Sequence, residues 1–274
     1  ERIAAAKATL GDRLFILGHH YQREEVMTWA DARGDSFRLS VLAQQQTAAE
    51  FIVFCGVHFM AESAKILAYD KTVLIPDAAA GCSLAETING EQLRAWKAEH
   101  PGAVVVSYVN TTAEVKAESD VCVTSGNVYH IVEQLPAKRI LFVPDRLMGQ
   151  NVRDELKRRG VDKEIISSDG TCLVHDQFTP AQIAEARAQF PGLKVVAHPE
   201  CTGAVAALAD YVGSTGGMMK YVKTTPAPYF LLLTECGLVG RLEVEAPEKR
   251  FIGGCRLCPY MKLNSLEKIR DALR

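Results

Sequence analysis

The sequence predicts an α/β fold: three pseudo-repeated small α/β domains with parallel sheets arranged around a central active site. Three observations lead there. Short apolar runs rich in Val, Ile, Leu and Phe, closed by Gly, Asn, Asp or Pro, alternate with helix-length patterns, as buried parallel strands with crossover helices do. Several strand-to-helix junctions resemble one another. Three cysteine-bearing turns, Ala80-Gly-Cys82-Ser-Leu84, Gly170-Thr-Cys172-Leu-Val174 and Gly254-Cys-Arg-Leu-Cys258-Pro-Tyr-Met-Lys262, are set almost evenly along the chain.

Taken in order, strands are expected near Leu14-Leu17, Phe51-Phe54, Thr72-Ile75, Val104-Ser107, Val121-Thr124, Ile140-Val143, Glu164-Ser167, Val195-Ala197, Tyr211-Val212 and Phe230-Leu233. Helices fill the gaps at Ala61-Ala68, Gly90-Glu99, Asn127-Gln134, Met148-Arg159, Pro180-Gln189 and Ser265-Leu273. For the last, Asn264 is placed to cap and Glu267 to reach back in a capping box. Domain boundaries are expected at 1–85, 86–173 and 174–263, with the C-terminal helix 264–274 packing on the first domain.

Three sets of segments suggest the repeat. Val73-Leu-Ile-Pro-Asp77 matches Leu141-Phe-Val-Pro-Asp145. Phe54-Cys-Gly-Val-His-Phe-Met60, Val123-Thr-Ser-Gly-Asn-Val-Tyr129 and Val212-Gly-Ser-Thr-Gly-Gly-Met218 each run from a strand through small residues into a helix. His19-His-Tyr-Gln22, Tyr108-Val-Asn-Thr111 and His198-Pro-Glu-Cys201 each follow an apolar strand directly. Ligands of parallel α/β units bind beyond the carboxyl ends of strands. These clusters would therefore deliver His19, Tyr21, Tyr108, Asn110, Ser125, His198, Glu200, Ser214 and Thr215 to one cavity.

Composition narrows the classes of function. With 48% hydrophobic and 23% charged residues the 274-residue chain has the balance of a folded soluble protein, which excludes disorder. A net charge of −2 provides no general field for nucleic acid or an anionic membrane, so anion binding must come from local donors. No apolar run reaches the ~20 residues of a membrane span. Glu1-Arg-Ile-Ala does not open a signal peptide; lacking an initiator Met, the numbered chain reads as a fragment or a processed form. Eight cysteines without a secretion signal argue against a disulfide framework and for reduced thiols in a cytoplasmic protein. Cys55 and Cys122, inside apolar strands, are expected to be packed and inert.

The chemistry of the candidates follows from their types. Ser125, Ser214 and Thr215 at helix starts can cradle carboxylate or phosphate, or merely cap. His19 and His198 can bind anions or transfer protons, and Glu200 is a general base if its surroundings move its pKa toward working pH. Cys255-x-x-Cys258 alone is compatible with zinc, a redox dithiol or neither. The Cys258-Pro pair is like the end of some cluster-binding runs, and soft thiolates favour iron–sulfur clusters. Two other readings stay open at this point. One is a sugar-phosphate or carboxylate binding protein without a cluster; the other is a zinc-dependent aldolase or hydrolase with His19, His198 and Glu200 as ligands.

Taken together and in order, from His19-His-Tyr-Gln through Cys82, Tyr108-Val-Asn-Thr, Thr124-Ser, Cys172-Leu-Val-His, His198-Pro-Glu-Cys and Gly213-Ser-Thr to Cys258-Pro-Tyr-Met-Lys, these motifs resemble the quinolinate synthase A family across nearly the whole chain. The resemblance implies three α/β domains around a central iron–sulfur cluster. It implies a [4Fe-4S] cluster on Cys82, Cys172 and Cys258, one iron left open as a Lewis acid for dehydration, and Cys255 as a neighbour. It further implies condensation of iminoaspartate with dihydroxyacetone phosphate to quinolinate, phosphate and two waters, a transferase step of NAD biosynthesis. The site residues carried over are His19, Tyr21, Ser36, Tyr108, Asn110, Ser125, His198, Glu200 and Thr215. Among them His19, Ser36, Ser125, His198 and Thr215 would hold carboxylate and phosphate oxygens, Tyr108 and Asn110 would orient the condensing carbons, and Glu200 would move protons with Tyr21 assisting. Glu200, Tyr21, His19 and Tyr108 form the expected catalytic set. Gly126, where a second Ser is common, and His20, where Asn or Tyr is, depart from the family pattern. Iminoaspartate is unstable in water, which leaves open a transient contact with the enzyme supplying it.

Overall fold

The computed structural model describes residues 1–274 and contains three four-stranded sheets. By contact density the chain divides into two compact units, Glu1–Cys82 with Cys258–Arg274, and Ser83–Leu257.

In the first unit, β1 (Leu14–His19), β2 (Ala32–Gly34), β3 (Phe51–Cys55) and β4 (Thr72–Leu74) form an all-parallel sheet in the order β2-β1-β3-β4. Helices α1 (Arg2–Leu10), α2 (Glu24–Met27), α3 (Ser36–Gln45) and α4 (His58–Leu67) belong to this unit. The central strands are buried on both faces, which is why Ile16, Leu17, Ile52 and Val53 read as apolar runs and not as alternation.

The second unit repeats the plan twice. One parallel sheet is β6-β5-β7-β8, from β5 (Val104–Tyr108), β6 (Val121–Val123), β7 (Arg139–Val143) and β8 (Glu164–Ser167), with α5 (Gly90–Glu99), α6 (Ala113–Ala117), α7 (Val128–Gln134) and α8 (Arg146–Arg158). The other is β10-β9-β11-β12, from β9 (Lys194–Ala197), β10 (Tyr211–Val212), β11 (Tyr229–Leu233) and β12 (Arg250–Phe251), with α9 (Pro180–Gln189), α10 (Gly203–Ala206), α11 (Thr215–Thr224) and α12 (Cys236–Glu245). The last helix, α13 (Leu266–Ala272), returns to the first unit, where Ile269 is buried with Ile3, Leu14 and Val53.

One hydrogen bond recurs in all three sheets. The backbone N–H of Ile16, Val105 and Val195 donates to the carboxylate of Asp31, Asp120 and Asp210, each time at 2.8 Å. These aspartates precede β2, β6 and β10 and stand 89 and 90 residues apart. They tie the connection after each sheet's leading strand back to that strand and so set the register of the repeat.

The structure revises several sequence expectations. The edge strands β2 and β12 were not foreseen, because Ala32-Arg-Gly34 and Arg250-Phe251 each carry an arginine and make no apolar run. Because β2 exists, the turn equivalent to Thr124-Ser125 and Ser214-Thr215 is Asp35-Ser36 after β2, not the turn after β3. The two Pro-Asp motifs are likewise not equivalent: Asp77 follows the fourth strand of its sheet and Asp145 the third. Helix α13 is capped by Ser265, whose Oγ accepts from Lys268 N–H, because the Asn264 amide is buried and donates to the Gly56 carbonyl at 2.7 Å. Cys122 lies on edge strand β6 with its side chain exposed, so it is not packed.

Cys236 and Cys255 form a disulfide, against the expectation of reduced thiols only. The fold brings them together: the bridge between Glu235 and Arg256 continues the pairing of β11 and β12 and sets the two Cα atoms 4.9 Å apart.

Candidate active site at the carboxyl ends of the strands

Every residue carried forward from the sequence lies past the carboxyl end of a strand. His19, Tyr108 and His198 close or follow β1, β5 and β9, each the second strand across its sheet. Ser36, Ser125 and Thr215 follow β2, β6 and β10, each five residues beyond the aspartate that anchors its turn. Cys82, Cys172 and Cys258 follow β4, β8 and β12, the fourth strands.

In the second unit, Glu200 is the hub. It is 2% exposed, yet its carboxylate is well supplied with donors. Tyr108 Oη donates to Oε1 at 2.7 Å, and His175 Nδ1 lies 2.9 Å from Oε2. His175 Nδ1 is also 3.2 Å from Cys172 Sγ, its Nε2 is 3.1 Å from Thr234 Oγ1, and its ring stacks on His198 at 4.6 Å. The turn carrying Glu200 is held from outside by Asn151 on α8, whose amide nitrogen donates to the carbonyls of Pro199 and Cys201, both at 2.8 Å.

The electrostatics follow from this packing. Burial pushes the Glu200 carboxyl up, but the adjacent His175 and the hydrogen bonds from His175 and Tyr108 outweigh it and hold the group below the usual carboxylate range. Neighbours therefore do not move Glu200 toward neutral pKa, as a lone general base would require; it stays ionised. Burial lowers the His198 imidazole to about 3, so His198 is neutral at working pH. Asp145, fully buried at the start of α8, goes the other way: burial and then the charge of Glu200 raise its carboxyl well above the ordinary value.

Asn110 is half-buried two residues beyond Tyr108. Ser125 is half-buried and Thr215 is 5% exposed. The turns bearing them are close: a Cβ on Gly126 would sit 3.3 Å from Ser214 Oγ, so the glycine leaves room that any larger residue would have to share. Ser214 acts as the N-cap of α11, accepting from Gly217 N–H.

In the first unit, His19 is buried and accepts from the Tyr21 N–H at its Nδ1, which leaves a neutral ring protonated on Nε2. Its ring meets Tyr21 edge-on at 4.7 Å. Ser36, 8% exposed, begins α3 after Asp35, the residue that caps it. The Tyr21 carbonyl accepts from Lys262, four residues after Cys258.

The cysteines divide by chemistry. Cys55 and Cys201 are buried, and burial raises both thiols, Cys55 to about 12. Cys122 is exposed, and Cys236 and Cys255 are bonded to each other. Cys82, Cys172 and Cys258 remain, each half-buried and each beyond a fourth strand. Soft, partly accessible thiols of this kind suit an iron–sulfur group.

Residues 1–274, the whole of the chain, match the family described as quinolinate synthetase A protein. The chain belongs to the quinolinate synthetase A family. It is 48% identical over 259 residues to quinolinate synthase 2 of Mesorhizobium japonicum, covering 94% of this chain and 78% of that one. It is 47% identical over 260 residues to quinolinate synthase of Methanoregula boonei, with 94% and 84% covered. With quinolinate synthase of Geotalea uraniireducens the identity is 46% over 271 residues, 98% and 87% covered. The family carries quinolinate synthesis, a step in making NAD, and the α/β fold with three four-stranded parallel sheets agrees with it.

Within the family motif Cys172-Leu-Val-His175, the sequence reading used the cysteine and missed the histidine. Its signal was available: Cys-x-x-His places both side chains on one turn, and the His175 N–H indeed donates to the Cys172 carbonyl. Thr234 and Asn151 carried no such signal, since their partners lie 59 residues away in one case and 48 and 50 in the other.

Proposed function

We propose that this chain condenses iminoaspartate with dihydroxyacetone phosphate, releasing phosphate and two waters to give quinolinate. The observation that carries the proposal is the ionised, buried Glu200 between Tyr108 Oη and His175 Nδ1, with Cys172 beside it. In this reading Cys82, Cys172 and Cys258 hold a [4Fe-4S] cluster with one iron free of protein ligands. When bound, that cluster supplies a Lewis acid for removing a hydroxyl in the final dehydration.

The chain's own residues bind, orient and move protons. Both substrates are anions, two carboxylates on one and a phosphate on the other, and the net charge of −2 offers them no general field. His19, Ser36, Ser125, His198 and Thr215 supply local donors instead. Ser36 and Thr215 begin ten-residue helices, whose N-termini favour an anion. His198, neutral, donates through Nε2, because its Nδ1 accepts the Glu200 N–H at 3.4 Å. Tyr108 and Asn110 orient the condensing carbons.

Glu200 accepts a proton when substrate replaces one of its present donors. Losing the hydrogen bond from Tyr108 or His175 raises its basicity at the moment substrate needs it, and Tyr108 Oη then lies free to return a proton. Tyr21 assists. We further propose the three-domain division 1–85, 86–173 and 174–263, with residues 264–274 added to the first domain. No helix is long and apolar enough to cross a membrane.

The test is quinolinate formation from both substrates by anaerobically purified protein. Brown protein with about four irons and four sulfides per chain that forms quinolinate supports the reading. Colourless protein that binds carboxylates or sugar phosphates without turnover overturns it in favour of a binding protein.

A further inference from the structure

We propose that the chain, when it carries no iron–sulfur cluster, has a zinc site made of Cys172 Sγ, His175 Nδ1 and Glu200 Oε2. The three residues offer thiolate, imidazole and carboxylate, the donor types zinc takes, with all three ligand atoms within 4.8 Å of one another. A tetrahedral zinc with its ordinary bond lengths separates such ligands by roughly 3.4 to 3.6 Å. The present separations of 3.2 Å for sulfur to nitrogen and 2.9 Å for nitrogen to oxygen would widen, and sulfur and Oε2, within 4.8 Å of each other, would settle at the same spacing.

The supports are already built. Cys172 and His175 share one turn, and the Asn151 amide fixes the turn of Glu200 from both sides. Tyr108 holds the other oxygen of Glu200, so Oε2 can turn to a metal while Oε1 keeps its donor. The Thr234 hydroxyl, able to donate or accept, serves either tautomer of His175. Without metal, His175 Nδ1–H donates to Glu200 and Nε2 accepts from the threonine hydroxyl. With metal, the proton sits on Nε2 and the same hydroxyl accepts it, as an outer hydrogen bond to a metal-bound histidine does. Charge also favours the ion: thiolate and carboxylate together neutralise Zn²⁺, and a neutral complex tolerates the burial of His175 and Glu200.

Zinc here excludes the arrangement proposed for the loaded enzyme, because it occupies Cys172 and Glu200 at once. That consequence for turnover rests on the proposed function; the binding does not. The test uses the full-length, cluster-free, reduced chain under anaerobic conditions, titrated with zinc against a chromogenic zinc chelator. One zinc per chain is expected. C172S and H175Q should each weaken it by at least about 100-fold, whereas C82S and C258S leave it unchanged. Cobalt absorption of the unmutated chain provides a second reading that does not depend on variants folding: a tetrahedral spectrum with the charge-transfer intensity of a single thiolate. Equal losses in C82S or C258S, or a multi-thiolate cobalt spectrum, would mean that the cysteines alone hold the ion and would overturn the proposal. Binding of zinc with no quinolinate formed by the anaerobic enzyme would instead count against the proposed function alone.

Discussion

The turns His19–Gln22 and His198–Cys201 have one backbone plan and two chemistries. In each, the N–H of the fourth residue donates to the carbonyl of the first at 3.0 Å, and the N–H of the third approaches the histidine Nδ1, at 3.1 Å and 3.4 Å. Yet the third residue is half-buried Tyr21 in one turn and fully enclosed Glu200 in the other. The first turn is held by Lys262, which donates to the Tyr21 carbonyl; the second by Asn151, which grips the carbonyls on both sides of Glu200. A repeated fold thus supplies equivalent places, and the neighbours of each place decide whether its side chain handles protons.

The largest expected effect separates the two turns by turnover. E200Q should lower quinolinate formation by about 10² to 10⁴-fold with the cluster spectrum intact, whereas Y21F should lose about tenfold or less. Equal losses in steady-state assays would erase the distinction between a proton-moving and an assisting position.

The segment leading from each fourth strand to its cysteine is also held differently. After β12 it is held by the Cys236–Cys255 disulfide, which spans 19 residues, and after β4 by the ion pair of Asp77 with Lys268. Under non-reducing conditions C236S should lose about 3 kcal/mol of stability by denaturant unfolding, and nothing once the wild type is reduced. K268M should lose about 0–1 kcal/mol, because the Lys268 side chain is 41% exposed and solvent screens the pair.

Removing the support of the Glu200 turn should have an intermediate effect. N151A should reduce kcat about tenfold with a smaller change in KM, because on the proposed roles substrate anions are held elsewhere while Glu200 loses its placement. A change confined to KM would assign Asn151 to substrate binding instead.

A further effect concerns His198. Its folded pKa, about 3, lies below the ordinary 6.5, so below pH 6.5 the unfolded chain binds a proton that the folded chain refuses. Stability should therefore fall as pH drops from 6.5 toward 3, with this residue contributing up to about 1.4 kcal/mol per pH unit. Unfolding at pH 7.5, 6.5 and 5.5 should show a shallower slope in H198Q.

Much of this was legible in the linear chain, and the exceptions share a cause. Ten strands could be read because their residues are mostly apolar, as a buried parallel sheet demands; β2 and β12 could not, because each is short and carries an arginine. Ser36 came only through family resemblance, although the spacing Asp31, Asp120 and Asp210, with Ser36, Ser125 and Thr215 each five residues on, points to it directly once the anchoring hydrogen bond is known. His175 had a signal in Cys-x-x-His that went unused.

By itself the sequence determined the strand–helix alternation, the threefold spacing and the residues delivered to the strand ends, because these depend on local periodicity and on offsets along the chain. Only the tertiary structure decided that Glu200 is ionised, that His175 joins it to Cys172, and that Cys255 bonds to Cys236. Each of those depends on atoms distant in sequence meeting within about 3 Å in a buried setting, where a single hydrogen bond or neighbouring charge changes what a group can do.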